Sequence, residues 1–79
     1  MELKFIRDKE KHEVDFMVVK DRKPIELIEA KWDEERPTTS IKYFGKKLGI
    51  KKCTQIVGTL ERSFNKDGVN VVSPLEYFA

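Results

Sequence analysis

Short apolar runs alternate with charged punctuation along the chain, and their periods separate strands from helices. Leu3, Phe5 and the adjacent Ile6 predict a short first strand, closed by the charged stretch Asp8-Lys9-Glu10-Lys11. Residues 12–20 (HEVDFMVVK) are β-branched and aromatic at their centre and predict a second strand. Asp21-Arg22-Lys23 reads as a tight turn, and residues 24–32 (PIELIEAKW) as a third strand. Pro24 belongs at its first position, because proline has no N–H to give a ladder. After the polar break at residues 33–37, Thr38, Thr39 and Ser40 each suit a helix N-cap. Ile41, Phe44 and Leu48 then fall on one helical stripe, with Lys42, Lys46 and Lys47 on the polar side. Gly49 followed by Ile50 reads as a glycine stop with its apolar contact. Residues 53–60 (CTQIVGTL) predict another long strand, Asn65-Lys66-Asp67-Gly68 a turn, and residues 69–72 a short strand. Ser73-Pro74 starts a brief terminal helix holding Leu75 and Phe78.

The predicted order is β-β-β-α-β-β-α, a small α/β domain with a mixed sheet. Short turns make the first three strands an antiparallel meander. The helix makes the third and fourth strands a parallel pair with a right-handed crossover. Apolar residues occupy both parities of the long hairpin: Val14, Phe16, Val18 and Ile28 on one set, Met17, Val19, Ile25 and Leu27 on the other. That pattern predicts a sheet covered on both faces. One helix and a terminal turn are too little cover, so the sequence predicts an apolar face that a second copy of the chain buries.

Length and composition narrow the classes. The 79 residues form a single domain, 1–79, with 16 Lys+Arg against 14 Asp+Glu and 38% charged residues. A sequence pI near 8.7 is compatible with a polyanionic partner without demanding one. One cysteine (Cys53) and one histidine (His12) exclude a disulfide framework, a Cys/His zinc site and a Ser/His/Asp or Cys/His triad within one chain. Cys53 reads as a small buried hydrophobe, and His12 as a surface residue. The N-terminal residues do not resemble a signal peptide, and no apolar run reaches the ~20 residues of a membrane span. The expectation is a soluble, cytoplasmic protein with no membrane partner.

Candidate chemistry lies in the polar residues set inside apolar strands. Asp15 sits between Val14 and Phe16; Glu29 follows Ile28, and Lys31 precedes Trp32. A carboxylate in such a setting costs several kcal/mol unless it is paired or bound to a metal. Register decides whether the strands bring these groups together. A three-residue loop at 21–23 places Asp15 opposite Glu29 and Glu13 opposite Lys31 on one face. A two-residue loop places Asp15 opposite Ile28 and disperses the cluster. Two carboxylates side by side with an ammonium make a hard-cation site suited to Mg²⁺ or Mn²⁺ and to phosphodiester hydrolysis. An acidic residue two before a lysine occurs three times (Glu2/Lys4, Asp21/Lys23, Glu29/Lys31), and only the last lies in an apolar strand with a carboxylate partner. The alternative is a set of structural ion pairs, with Glu13 a salt-bridge partner of Lys31.

These residues carry a resemblance. Asp15, then Glu29-Ala30-Lys31 on the next strand, then a helix and a parallel strand, resemble the PD-(D/E)XK nuclease superfamily. The chain is most similar to the C-terminal nuclease-like domain of archaeal and bacterial AAA-type ATPases. The carrying motifs are His12-Glu13-Val14-Asp15-Phe16, Ile28-Glu29-Ala30-Lys31-Trp32 and the tail Gly68-Val69-Asn70-Val71-Val72-Ser73-Pro74-Leu75-Glu76-Tyr77-Phe78. The resemblance implies a restriction-endonuclease-like sheet, here without the N-terminal core helix. It implies Asp15 and Glu29 as catalytic metal ligands, the Ala30 carbonyl as a further ligand, and Lys31 as the catalytic lysine. It also implies DNA as substrate, with an adjoining ATPase segment as the alternative to a second copy at the apolar face. Lys42, Lys46 and Lys47 are candidate phosphate contacts, or a solvated helix face. Trp32 and Tyr43 can stack on bases, or pack at the rim of the core. A glycine-rich phosphate loop is absent from the sequence, so no ATP site is expected in this chain. The rival function is a catalytically inactive interaction module with the same fold.

Overall fold

The computed structural model describes residues 2–7, 9 and 12–78. The charged stretch Asp8-Lys9-Glu10-Lys11, expected to close the first strand, lies, apart from Lys9, outside the described residues. The elements are β1 (Glu2–Arg7), β2 (Glu13–Lys20), β3 (Lys23–Lys31), α1 (Thr39–Leu48), β4 (Lys52–Val57), β5 (Phe64–Lys66), β6 (Val69–Val72) and α2 (Pro74–Tyr77). They build one mixed six-stranded sheet in the order β1-β2-β3-β4-β6-β5. The antiparallel meander and the parallel β3/β4 pair match the sequence expectation.

Two differences concern turns. The first hairpin closes through two residues, not three: Lys20 opposes Lys23, with Asp21 and Arg22 at φ 53° and 65°. Two positive φ values in a row define the turn whose twist matches a right-handed hairpin. The residue removed from the loop reappears as a bulge, because Val19 opposes Pro24 while Val18 opposes Glu26, leaving Ile25 unpaired. Beyond that bulge the strands run in the register that a three-residue loop would have given. The second difference is β5. Asn65 and Lys66, expected in a turn, extend a hairpin strand, and only Asp67 and Gly68 (φ 53° and 78°) turn the chain. The fourth predicted strand correspondingly ends at Val57 rather than Leu60.

Helix α1 covers one face of the sheet. Its cap is Thr38, whose side chain accepts the Ile41 N–H at 3.2 Å. At the other end Gly49, at φ 67°, lets the Ile50 N–H reach Gly45 O at 2.9 Å and the Gly49 N–H reach Lys46 O. Ile50 is buried by this paired-bond stop, as the Gly-Ile spacing predicts. Ile41 and Phe44 of the apolar stripe are buried, whereas Leu48 is 39% exposed. Gly45 lets the helix approach β4, because a Cβ there would stand 2.8 Å from Cys53 Sγ. The core beneath α1 comprises Val14, Leu27, Ile41, Phe44, Ile50, Cys53, Val57, Val69 and Val71.

Val14 belongs to that core although strict alternation would set it with Phe16 on the other face. The cause is a second bulge. Lys4 opposes Met17 but Ile6 opposes Val14, so one residue of β1, Phe5, spans both Asp15 and Phe16 of β2. The side-chain parity of β2 switches there. Part of the two-parity apolar pattern is therefore a switch of face, not cover on both faces. The single turn α2 lies over β4 on the far side, where Tyr77 lines a groove with Thr54, Asn70 and Val72. Leu75 and Phe78 are exposed rather than packed. The helix is held instead through Ser73 and Glu76: Ser73 Oγ accepts the Glu76 N–H at 3.1 Å, and Glu76 Oε1 accepts the Ser63 N–H and hydroxyl at 2.8 and 3.0 Å. Those bonds lower the Glu76 pKa.

Candidate functional site

The bulge at Asp15 sets its carboxylate against the Ala30 backbone, and at the end of β3 Lys31 stands beside Glu29. The hairpin ladder runs to Phe16 opposite Ile28, and one step further Asp15 Oδ2 accepts the Ala30 N–H at 2.9 Å. Asp15 thus caps the splayed end of the hairpin. Glu29 lies on the α1 side and is only 5% exposed. Its Oε2 accepts the Thr38 hydroxyl at 2.5 Å. Lys31 Nζ stands 4.0 Å from the other oxygen, Oε1, with the lysine side chain 41% exposed. Burial raises the Glu29 pKa; the Thr38 hydrogen bond and then Lys31 oppose this, and the charges of Asp15 and Glu13 add to it.

Glu29 and Thr38 are fixed by a residue the sequence reasoning missed. Gln55 of β4 is fully buried and sits beside Glu29 in the parallel register. Its Oε1 accepts the Thr38 N–H at 3.0 Å, and its Nε2 donates to Glu34 O at 3.0 Å and Arg36 O at 2.9 Å. Three of the four bonds an amide side chain can make are therefore spent on the 34–38 loop. That loop delivers Thr38 both to the first turn of α1 and to Glu29. A glutamine between Thr54 and Ile56 in an apolar run was the available signal, of the same kind that singled out Asp15 and Glu29. Glu26 was also missed: it is 9% exposed on the far face, accepting the Thr54 hydroxyl at 3.1 Å with Lys52 Nζ at 3.7 Å.

Other candidates fall elsewhere. Glu13 donates its backbone N–H to Ser40 Oγ, and the Lys31 ammonium is placed by Glu29. His12 is not isolated at the surface but stacks on Tyr43, with ring centroids 3.9 Å apart. Lys42 and Lys46 line a cleft of 480 Å³ between α1 and the β5–β6 turn, where Lys42 Nζ lies 3.9 Å from Asp67. Lys47 Nζ donates to the Tyr43 hydroxyl. Lys46 and Lys47 occupy the last turn of α1, whereas Thr38 and Glu29 are at its first. Cys53 is buried as expected, and burial raises its thiol pKa. Trp32, by contrast, is 75% exposed and does not pack into the core.

Two carboxylates and a backbone carbonyl are the donor types that a small hard cation takes while keeping most of its water. Asp15 and Glu29 each anchor one oxygen, and among the described residues no hydrogen bond engages Asp15 Oδ1 or Glu29 Oε1. No group of three or more His, Cys, Asp and Glu side chains converges among the described residues. Mg²⁺ is bound through one or two carboxylates in such sites, with carbonyl and water oxygens filling its octahedron. No helix among the described residues is long and apolar enough to cross a membrane. No protein-family model, no curated protein and no solved structure matches the chain.

The raised Glu29 pKa has a definite sign for stability. A carboxylate whose folded pKa lies above its unfolded value destabilises the fold when ionised, and that cost vanishes as the pH falls through the folded pKa to below 4.5. Glu29→Gln keeps an acceptor for Thr38 and removes the charge. In chelator, urea denaturation is expected to find Glu29→Gln at least as stable as wild type at pH 7, with the difference shrinking towards pH 4.5. A variant less stable at pH 7 than at pH 4.5, relative to wild type, would contradict burial as the dominant cause.

Proposed function

We propose that the chain is a restriction-endonuclease-like module whose Asp15, Glu29 and Lys31 form a Mg²⁺- or Mn²⁺-dependent site for DNA phosphodiester hydrolysis. The observation that carries this reading is the half-anchored state of both carboxylates. Each has one oxygen fixed by a hydrogen bond, Asp15 by Ala30 N–H and Glu29 by Thr38; Glu29 Oε1 stands 4.0 Å from the Lys31 ammonium, and among the described residues no hydrogen bond engages Asp15 Oδ1. In this reading Asp15, Glu29 and the Ala30 carbonyl would hold the cation, which would supply Lewis acidity. Lys31, partly exposed, orients the attacking water and balances charge developing on the phosphoryl oxygens. Burial of Glu29 favours cation uptake, since a further counter-charge offsets the cost of holding a carboxylate out of water.

Isothermal calorimetry with Mn²⁺ tests the site and cleavage assays test the chemistry. Wild type is expected to bind one ion, Asp15→Ala to lose the heat, and Lys31→Ala to retain it while losing metal-dependent DNA cleavage. Equal heats in wild type and Asp15→Ala would reject the metal site. Cleavage persisting in Lys31→Ala would reject the assigned role of the lysine.

A second reading, an inactive interaction module with the same fold, is favoured by a different observation. Leu3, Phe5 and Phe16 are 64%, 59% and 47% exposed on neighbouring strands β1 and β2. In that reading this surface seats a second copy of the chain, or an adjoining ATPase segment. Light scattering after gel filtration is expected to give twice the 9.3 kDa chain mass at micromolar concentration. A monomer that binds no hydrophobic dye would reject the homodimer.

A further inference from the structure

We propose that the cleft between α1 and the β5–β6 turn is a binding site for a small organic acid, an anionic head on a compact apolar body. Its volume of 480 Å³ falls in the range of small-molecule sites, and a cavity of about 150 Å³ already holds a benzene ring. Ile41, Lys42, Gly45 and Lys46 give it one wall, the residues that share a single side of α1. The opposite wall is Asp67-Gly68. Helix α1 packs over β2, β3 and β4, and the cleft opens where β6 and its turn run on past the helix. None of its lining residues belongs to the Asp15–Glu29–Lys31 group, so the inference stands apart from the nuclease reading.

The floor decides which body fits. Cys53 and Val69 stand directly opposite each other on β4 and β6, flanked by Ile41 and Ile50, and all four are buried. The Cys53 thiol, the one polar group among these side chains, is engaged with Ile50 O at 3.5 Å, and Gly45 O accepts the Ile50 N–H at 2.9 Å. A sugar or a nucleoside would leave hydroxyls and ring donors unmet against such a floor, which costs free energy for each group. The β4 and β6 backbones pair with each other, so no free strand edge is present there to take a peptide main chain. An aryl or branched alkyl group is the body that such a floor accepts.

The rim decides the charge. Lys42, Lys46 and Lys51 line the mouth against one carboxylate, Asp67. Asp67 Oδ2 lies 3.9 Å from Lys42 Nζ, and among the described residues no ion pair engages Lys46 or Lys51. The surplus is therefore positive. Like charges around an apolar pit raise the local concentration of an anion and repel a cation. Gly68, at φ 78°, puts no side chain over the entrance, and a Cβ there would meet nothing within 4 Å. A carboxylate held at this open mouth can be met by the exposed Lys46 and Lys51 while its body lies on the floor.

Proton–nitrogen correlation NMR of the labelled chain, in chelator, tests the site with phenylacetate, neutral phenylacetamide, phenethylammonium and acetate. Phenylacetate is expected to shift the Gly45, Ile50, Cys53, Gly68 and Val69 amides saturably, with a Kd at or below about 1 mM, which is within reach of a ligand of that size. The amide is expected to bind about fivefold more weakly or worse, and acetate and phenethylammonium to leave those signals unmoved. The double variant Lys46→Gln/Lys51→Gln should weaken phenylacetate at least about fivefold, whereas Asp67→Asn, which frees Lys42, should tighten it. These side chains are exposed, and asparagine suits the positive φ of 53° at position 67, so the fold survives both changes. Equal affinity for the acid and the amide would overturn the assignment. So would binding of phenethylammonium, shifts by acetate as large as those by phenylacetate, shifts that do not saturate or that centre elsewhere, or unchanged affinity in the lysine double variant.

Discussion

The buried amide of Gln55 is the constraint on which the candidate site depends. A primary amide taken fully out of water costs several kcal/mol unless its donors and acceptor are met inside the protein. Here they are met by the backbone of one irregular loop, through Glu34 O, Arg36 O and the Thr38 N–H. The loop cannot drift without stranding that amide. Thr38 is in consequence fixed at the point where it caps α1 through Ile41 N–H and donates to Glu29. The position of the helix on the sheet and the orientation of the buried carboxylate therefore share one anchor.

The second constraint is the irregularity of the first hairpin. The Asp21-Arg22 turn and the unpaired Ile25 shift register in opposite senses and leave Phe16 opposite Ile28. The bulge that sets Asp15 and Phe16 against the single residue Phe5 then turns Val14 into the core and opens the ladder at Asp15. An unbroken ladder would have used the Ala30 N–H between strands; here it goes to a carboxylate. Bulges recur where a strand must re-aim a side chain, and this one aims Asp15 at the end of β3, next to Glu29.

Much of this was legible in the residues, for identifiable reasons. The Thr38 cap, the Gly49-Ile50 stop and the burial of Ile41 and Phe44 follow from local rules whose partners are a few positions apart. The parallel crossover follows from the length of the connection, and Cys53 from its apolar setting. What was not legible depends on pairs distant in sequence or on compensating irregularities. The alternation of apolar residues on β2 looked like two covered faces because a bulge exchanges the faces at Asp15. Loop length at 21–22 was misjudged by one residue, yet the expected register up to Phe16 opposite Ile28 was reached because Ile25 restores it. Gln55 gave a signal equal to that of Asp15, a polar group in an apolar strand, but its partners are the backbone of a loop some twenty residues away, for which no side-chain pattern exists. The Trp32 ring lies against Gly58, and nothing local to either residue announces that contact.

Chemically, the arrangement separates rigid from available groups. Oxygens fixed by Ala30 and Thr38 orient Asp15 and Glu29, while Asp15 Oδ1, Glu29 Oε1 and the half-exposed Lys31 are left to act. A preoriented donor pair loses little entropy when it takes up an ion, which is the physical basis of the proposed cation site. The most direct measurement is anomalous diffraction from a crystal of the protein soaked in Mn²⁺. The account predicts one strong peak bonded to the carboxylates of both Asp15 and Glu29. A peak bonded to neither carboxylate, or no peak with both side chains hydrogen-bonded as described, would contradict it.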